Sequence, residues 1–139
     1  MTRIALLICA ALLVALPAAA PAATVKAPKS GTYEGPPPVD AILQVAGKSV
    51  EIAAFSFECT DSVFGRTSIN DFRLKRTSRG YRFHADVKAI ASYTDDTNEN
   101  VSVRVSGRFA KNGKSVRGHL RVKSKRCGDT GTVKWRASR

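Results

Sequence analysis

The chain of 139 residues has few of the residues on which most chemistry depends: two histidines, three cysteines, one tryptophan and one methionine. Beyond Asn100 it has a single acidic residue, Asp129, and beyond Leu16 it has no long apolar run. The length leaves no room for a dinucleotide-binding domain joined to a substrate domain, for a TIM barrel or for a protein kinase. There is no Gly-x-Ser-x-Gly elbow, no phosphate-binding glycine loop and no His-Glu-x-x-His, so the usual signatures of serine hydrolases, nucleotide-binding folds and zinc proteases are missing. Neither histidine stands at ligand spacing from a cysteine, which argues against a zinc site. The sequence does have 43% hydrophobic residues and a formal charge of +12, the composition of one basic, foldable domain.

The first 23 residues read as a secretory signal peptide. Arg3 precedes an apolar run from Ile4 to Leu16, Pro17 closes it, and the small residues up to Ala23 offer cleavage sites near Ala20 or Ala23. A membrane anchor would need about 20 apolar residues. Cleavage removes Cys9 and leaves Cys59 and Cys127, and two cysteines in an exported chain most simply form one disulfide. It closes a long loop, with a stabilisation of about 4 kcal/mol in the chain-entropy account. The expected location is extracytoplasmic.

The charge is unevenly placed. Residues 24–100 hold ten basic and ten acidic groups, whereas residues 101–139 hold twelve basic groups against Asp129 alone. An asymmetry of this size points to an anionic partner.

From Gly31 onward the pattern is all strand, after a flexible lead over residues 24–30. Gly31–Gly35 and Val39–Ala46 read as the first two strands, separated by Pro36-Pro37-Pro38. A third follows Gly47-Lys48, with a phase slip near Ala53-Ala54 that marks a bulge. Ser68–Lys75 reads as a fourth. Tyr81, Phe83, Ala85, Val87, Ala89 and Ala91 then alternate with polar residues in the longest strand. Asp95, Asp96 and Glu99 fall in the loop after it; they form a solvated turn, since their spacing is not that of an EF-hand calcium loop. Val101–Phe109 and Val116–Val122 flank Asn112-Gly113, a strong hairpin signal. A last strand carries Val133, Trp135 and Ala137. About eight strands in an antiparallel meander mean a single all-β domain over residues 31–139, closed as a small barrel or folded as a sandwich.

The opening Gly31-x-Tyr33-x-Gly35, the pair Gly107-x-Phe109 and Gly118-x-Leu120, and the ending Cys127…Gly131-x-x-x-Trp135-x-Ala137-x-Arg139 resemble a recurrent type of small secreted bacterial domain with no assigned activity. That resemblance implies export, one disulfide and an all-β fold, and it carries over no catalytic or binding residue. The glycine–aromatic starts and meander order are also similar, more faintly, to lipocalin and avidin-type barrels.

A two-residue Asn112-Gly113 loop sets Phe109 opposite Val116, Val105 opposite Leu120 and Val103 opposite Val122, apolar against apolar at each step. Gly107 meets Gly118 on the buried side, a dent for a large ring, with Trp135 the candidate. On the outer side Arg104 faces Arg121, Arg108 faces Arg117 and Ser106 faces His119. Like charges directly across a sheet are unfavourable, so Arg104, Arg108, Arg117, His119, Arg121 and Lys123 form a candidate anion-binding face. A solvated basic face is the alternative, with Asp86 near enough to approach Arg108.

Three functions follow. The first is a non-catalytic secreted domain that docks on a polyanionic cell-surface polymer, acidic lipid head groups or extracellular nucleic acid. The second is a barrel holding a small ligand inside. The third is a small hydrolase using His84 and His119 as acid and base. No cofactor or metal is called for.

Overall fold

Period-two alternation carries most of the chain into strands, seen in a computed structural model that describes residues 24–59 and 62–139; the leader read over residues 1–23 lies outside the described residues. The strands are β1 (Gly31–Glu34), β2 (Ile42–Ala46), β3 (Ser49–Glu58), β4 (Phe64–Arg73), β5 (Lys75–Thr77), β6 (Gly80–Tyr93), β7 (Asn98–Phe109), β8 (Ser115–Ser124), β9 (Gly128–Asp129) and β10 (Val133–Ser138). All pairings are antiparallel, and β1-β2-β3-β4-β6-β7-β8 follow one another across the sheet. The all-β meander expected from the alternation is what forms, and it closes into a ring. Six consecutive pairs from Val133↔Leu120 to Ser138↔Ser115 join β10 to β8, and Glu34↔Ser138 joins β10 to β1. The short β5 and β9 are extra rungs on β6 and β8.

The register of the β7–β8 hairpin is the one that Asn112-Gly113 dictates, with Phe109↔Val116, Gly107↔Gly118 and Val103↔Val122. Two details differ from the sequence reading. Strand β4 begins at Phe64, ahead of the expected Ser68, because alternation restarts at Gly65 and Thr67, both buried. The slip in β3 sits at Glu51 rather than at Ala53-Ala54: Gln44 pairs with Ile52 but Val45 pairs with Val50. Residues 24–30 form no strand, but Lys26 N–H donates to Lys111 O (2.9 Å) and Lys29 N–H to Gly113 O (3.3 Å), which ties the lead to the hairpin turn.

An eight-stranded barrel is just wide enough to be filled by side chains or to hold one small ligand. Here rings occupy the middle. Phe55 lies 5.2 Å from Trp135, Phe83 lies 6.1 Å from Trp135 and 4.8 Å from Phe72, and Tyr33 lies 5.3 Å from Phe109, all between centroids. Edge-on and tilted packing suits the ring quadrupoles. Glycines make the space. A Cβ on Gly65 would fall 2.3 Å from the Phe57 ring, and one on Gly107 would fall 2.4 Å from Phe83 and 3.1 Å from Trp135. Trp135 therefore lies buried against Gly107, as its parity demands, and Phe83 shares the dent. Gly118 is small for another reason: its Cβ would strike the Ser106 carbonyl oxygen at 1.8 Å, so the neighbouring main chain is already in that space.

At one end of the barrel Cys59 and Cys127 stand at disulfide distance, Cα atoms 4.9 Å apart, and link the end of β3 to the turn after β8. Arg126 lies beside this bridge, its guanidinium 5.0 Å from the Tyr93 ring centre.

These glycine contacts set an order of tolerance. Gly107→Ala should cost about 1–3 kcal/mol through displacement of a ring, and Gly118→Ala more, because main chain must move. Urea unfolding of the two variants tests this; a smaller loss for Gly118→Ala would contradict the packing.

Candidate functional site

Strand pairing aligns charge on the outside of the barrel as strictly as it aligns apolar residues within. Lys75 pairs with Arg82, Arg82 with Arg108, Arg108 with Arg117, and Arg117 with Arg136. Five cations thus stand side by side on five adjacent strands, a row about 19 Å long at a strand spacing of about 4.8 Å. One step along the same outward face, His84 pairs with Ser106, Ser106 with His119, and His119 with Lys134. Between these rows run Phe83, Gly107, Gly118 and Trp135. Phe83 and Trp135 are buried, and the side-chain direction of Gly107 points at their rings, so this middle row turns main chain outward.

The result is a cleft of about 1280 Å³ across the barrel wall. One wall is Arg82, Arg108, Arg117 and Arg136, the other His84, Ser106, His119 and Lys134. Pro36 and Pro37 lie at one end, Arg73 and Lys75 at the other. A smaller cleft of about 700 Å³ lies on the far side of Arg108, Arg117 and Arg136, so these three form a ridge between two depressions.

The structure divides the six residues expected on this face. Arg108, Arg117 and His119 line the cleft. Arg104, Arg121 and Lys123 stand apart from it, each against a carboxylate. Arg104 donates from Nε and Nη2 to Asp86 Oδ2, at 2.9 and 2.7 Å. Arg121 donates to both Asp129 oxygens, at 2.9 and 2.5 Å, and Lys123 lies 3.5 Å from the same carboxylate. Asp86 thus serves Arg104, opposite which it is paired, and not Arg108. A two-pronged guanidinium–carboxylate contact is the strongest form such a pair takes, and it holds the Asp129 carboxyl far below the usual carboxylate range. By contrast, among the described residues none of Arg82, Arg108, Arg117 and Arg136 makes an ion pair.

The sequence reading missed Lys75, Arg82, Lys134 and Arg136. The outward parity of Arg82 and its strand were both legible, but the β6–β7 register, set through the loop over residues 94–97, was not. Lys134 and Arg136 join only because β10 pairs with β8, a long-range contact with no turn signal.

The histidines proposed as an acid–base pair share one rung with Ser106 between them, so their strands are about 10 Å apart. That separation allows no direct proton relay. The acidic loop is spent locally: Asp95 accepts from Thr97 Oγ1 (2.6 Å) and pairs with Arg126, while Glu99 accepts from the Tyr93 hydroxyl and from Lys125 N–H (3.2 Å) and Arg126 N–H (3.3 Å). No group of three metal-ligating side chains occurs among the described residues.

The molecule is thus defined as a ring-closed antiparallel barrel with a basic cleft across its wall. No protein-family model, curated protein or solved structure matches the chain.

Hydrogen bonds from Thr97 and Arg126 lower the Asp95 pKa from its ordinary 3.8 to about 2. Its contribution to stability is present above the unfolded value and is lost as pH falls through the folded one. Carboxyl NMR titration should find Asp95 half-protonated near pH 2, and Arg126→Ala should move it back towards 3.8. An unchanged titration in the variant would show that Arg126 does not hold the loop.

Proposed function

We propose that this is an exported, non-catalytic barrel that binds polyanions through the basic cleft. The observation that carries the reading is the row Lys75–Arg82–Arg108–Arg117–Arg136, aligned across five strands, whose four arginines make no ion pair among the described residues. Like charges directly opposite in a sheet each cost some tenths of a kcal/mol. Elsewhere on the same face the chain neutralises arginines with Asp86 and Asp129. Leaving four aligned arginines without an acid suits an anion arriving from outside.

Other features support the same reading. Rings fill the barrel interior, which favours a surface site over the internal-ligand alternative. A cysteine pair at bonding distance suits an oxidising, extracytoplasmic setting, and no helix among the described residues is long and apolar enough to cross a membrane.

Retention on an immobilised polyanion across a salt series tests the reading. The protein should bind with an affinity that falls steeply as salt rises, through counterion release. Replacing Arg82, Arg108, Arg117 and Arg136 by Ser should abolish retention and leave the fold intact or slightly stabilised. Replacing Lys48, Arg66, Arg104 and Lys123 by Ser removes the same net charge and should leave most of the retention. Equal loss in both variants would rule out the cleft.

A further inference from the structure

The cleft has two unlike walls, and that asymmetry points to the chemistry of its ligand. We infer that it takes one flexible chain of repeating phosphate groups, laid across the strands; this rests on the polyanion-binding reading above. One wall is guanidinium, from Arg82, Arg108, Arg117 and Arg136. The other is made of a serine hydroxyl, two imidazoles and an ammonium group. Wall residues lie two apart on each strand, so their Cα rows are about 7 Å apart. That width admits a single chain; a nucleic-acid duplex or a lipid bilayer meets only the tips of the walls.

Phosphate suits two facing walls better than carboxylate does. The two unesterified oxygens of a phosphate within a chain diverge tetrahedrally. One can accept from a guanidinium while the other accepts from Ser106, His119 or Lys134. A pendant carboxylate is planar, turns both oxygens the same way and satisfies only the arginine wall, in the two-pronged manner such pairs favour. The floor adds no base recognition. Phe83 and Trp135 turn their rings into the core, so the floor has no large exposed ring of the kind on which single-strand nucleic-acid sites stack their bases. Arg73 and Lys75 at one end and Pro36 at the other bound its length, a span of about 19 Å across five strands.

The test is a binding series on the full mature protein at fixed salt. The probes are linear polyphosphates of about two, five and fifteen units, polyglutamate of matched charge, and duplex DNA. Affinity should climb steeply until the chain spans the cleft and then level off, and polyglutamate should bind about tenfold more weakly than polyphosphate of equal charge. The wall variant His84→Ala, His119→Ala, Lys134→Ala should keep anion binding and lose the preference for phosphate, while the four-arginine variant should lose both. Failure of every probe to bind would remove the polyanion reading itself. Binding that climbs without levelling, that treats polyglutamate as polyphosphate, that favours duplex DNA, or that keeps its preference in the wall variant would overturn the phosphate-chain inference alone.

Discussion

The pairing of β10 with β8 is the contact on which both faces of this barrel depend. Inside, it sets Trp135 beside Gly118 and within reach of Gly107, where the indole joins Phe55 and Phe83 at the centre of the core. Outside, the same six rungs set Arg136 beside Arg117 and Lys134 beside His119, which completes both walls of the cleft. Because side chains alternate, the two results cannot be separated. A shift of one residue would send Trp135 to solvent and Arg136 into the core, so burial of the indole fixes the position of the arginines.

The opposite ends of the ring are held differently. At one end the Cys59–Cys127 bridge, the Arg126–Asp95 pair and the Glu99 hydrogen bonds join the loops after β3, β6 and β8. At the other, the Tyr33 hydroxyl donates to Gly113 O at 2.5 Å, and the lead over residues 24–30 lies along the same turn. Between these ends lies the strained feature, four adjacent arginines without carboxylates. The fold meets the cost of their repulsion with a core of interlocked rings, and Asp86 and Asp129 hold Arg104 and Arg121 in the row beyond His84, Ser106 and His119. Register thus separates two sets on this face: Arg104, Arg121 and Lys123 stand against carboxylates, and Arg82, Arg108, Arg117 and Arg136 line the cleft.

Much of this was legible in the residues. Alternation located the strands, and Asn112-Gly113 dictated the β7–β8 register, from which the Arg108–Arg117 pair follows directly. Trp135 was assigned to the core because it shares parity with Val133 and Ala137. What stayed hidden depends on pairings that alternation does not specify. Neither the ring closure nor the ionic partner of Arg121 is announced by a local signal, since Asp129 reaches it only through the two-residue strand β9. The candidate face therefore shares Arg108, Arg117 and His119 with the cleft, whereas Arg104, Arg121 and Lys123 stand against carboxylates.

The central claim is that one transverse row of cations, and not general basicity, makes the binding surface. Backbone amide chemical-shift mapping with linear polyphosphate tests it most directly, because the floor residues Phe83, Gly107, Gly118 and Trp135 report on the cleft without carrying its charge. The account predicts shifts concentrated on these four amides and their flanking neighbours, with Lys125 and Arg126 at the disulfide end unmoved. Shifts that spread over every basic segment alike, or that centre on Arg104 and Arg121, would contradict it.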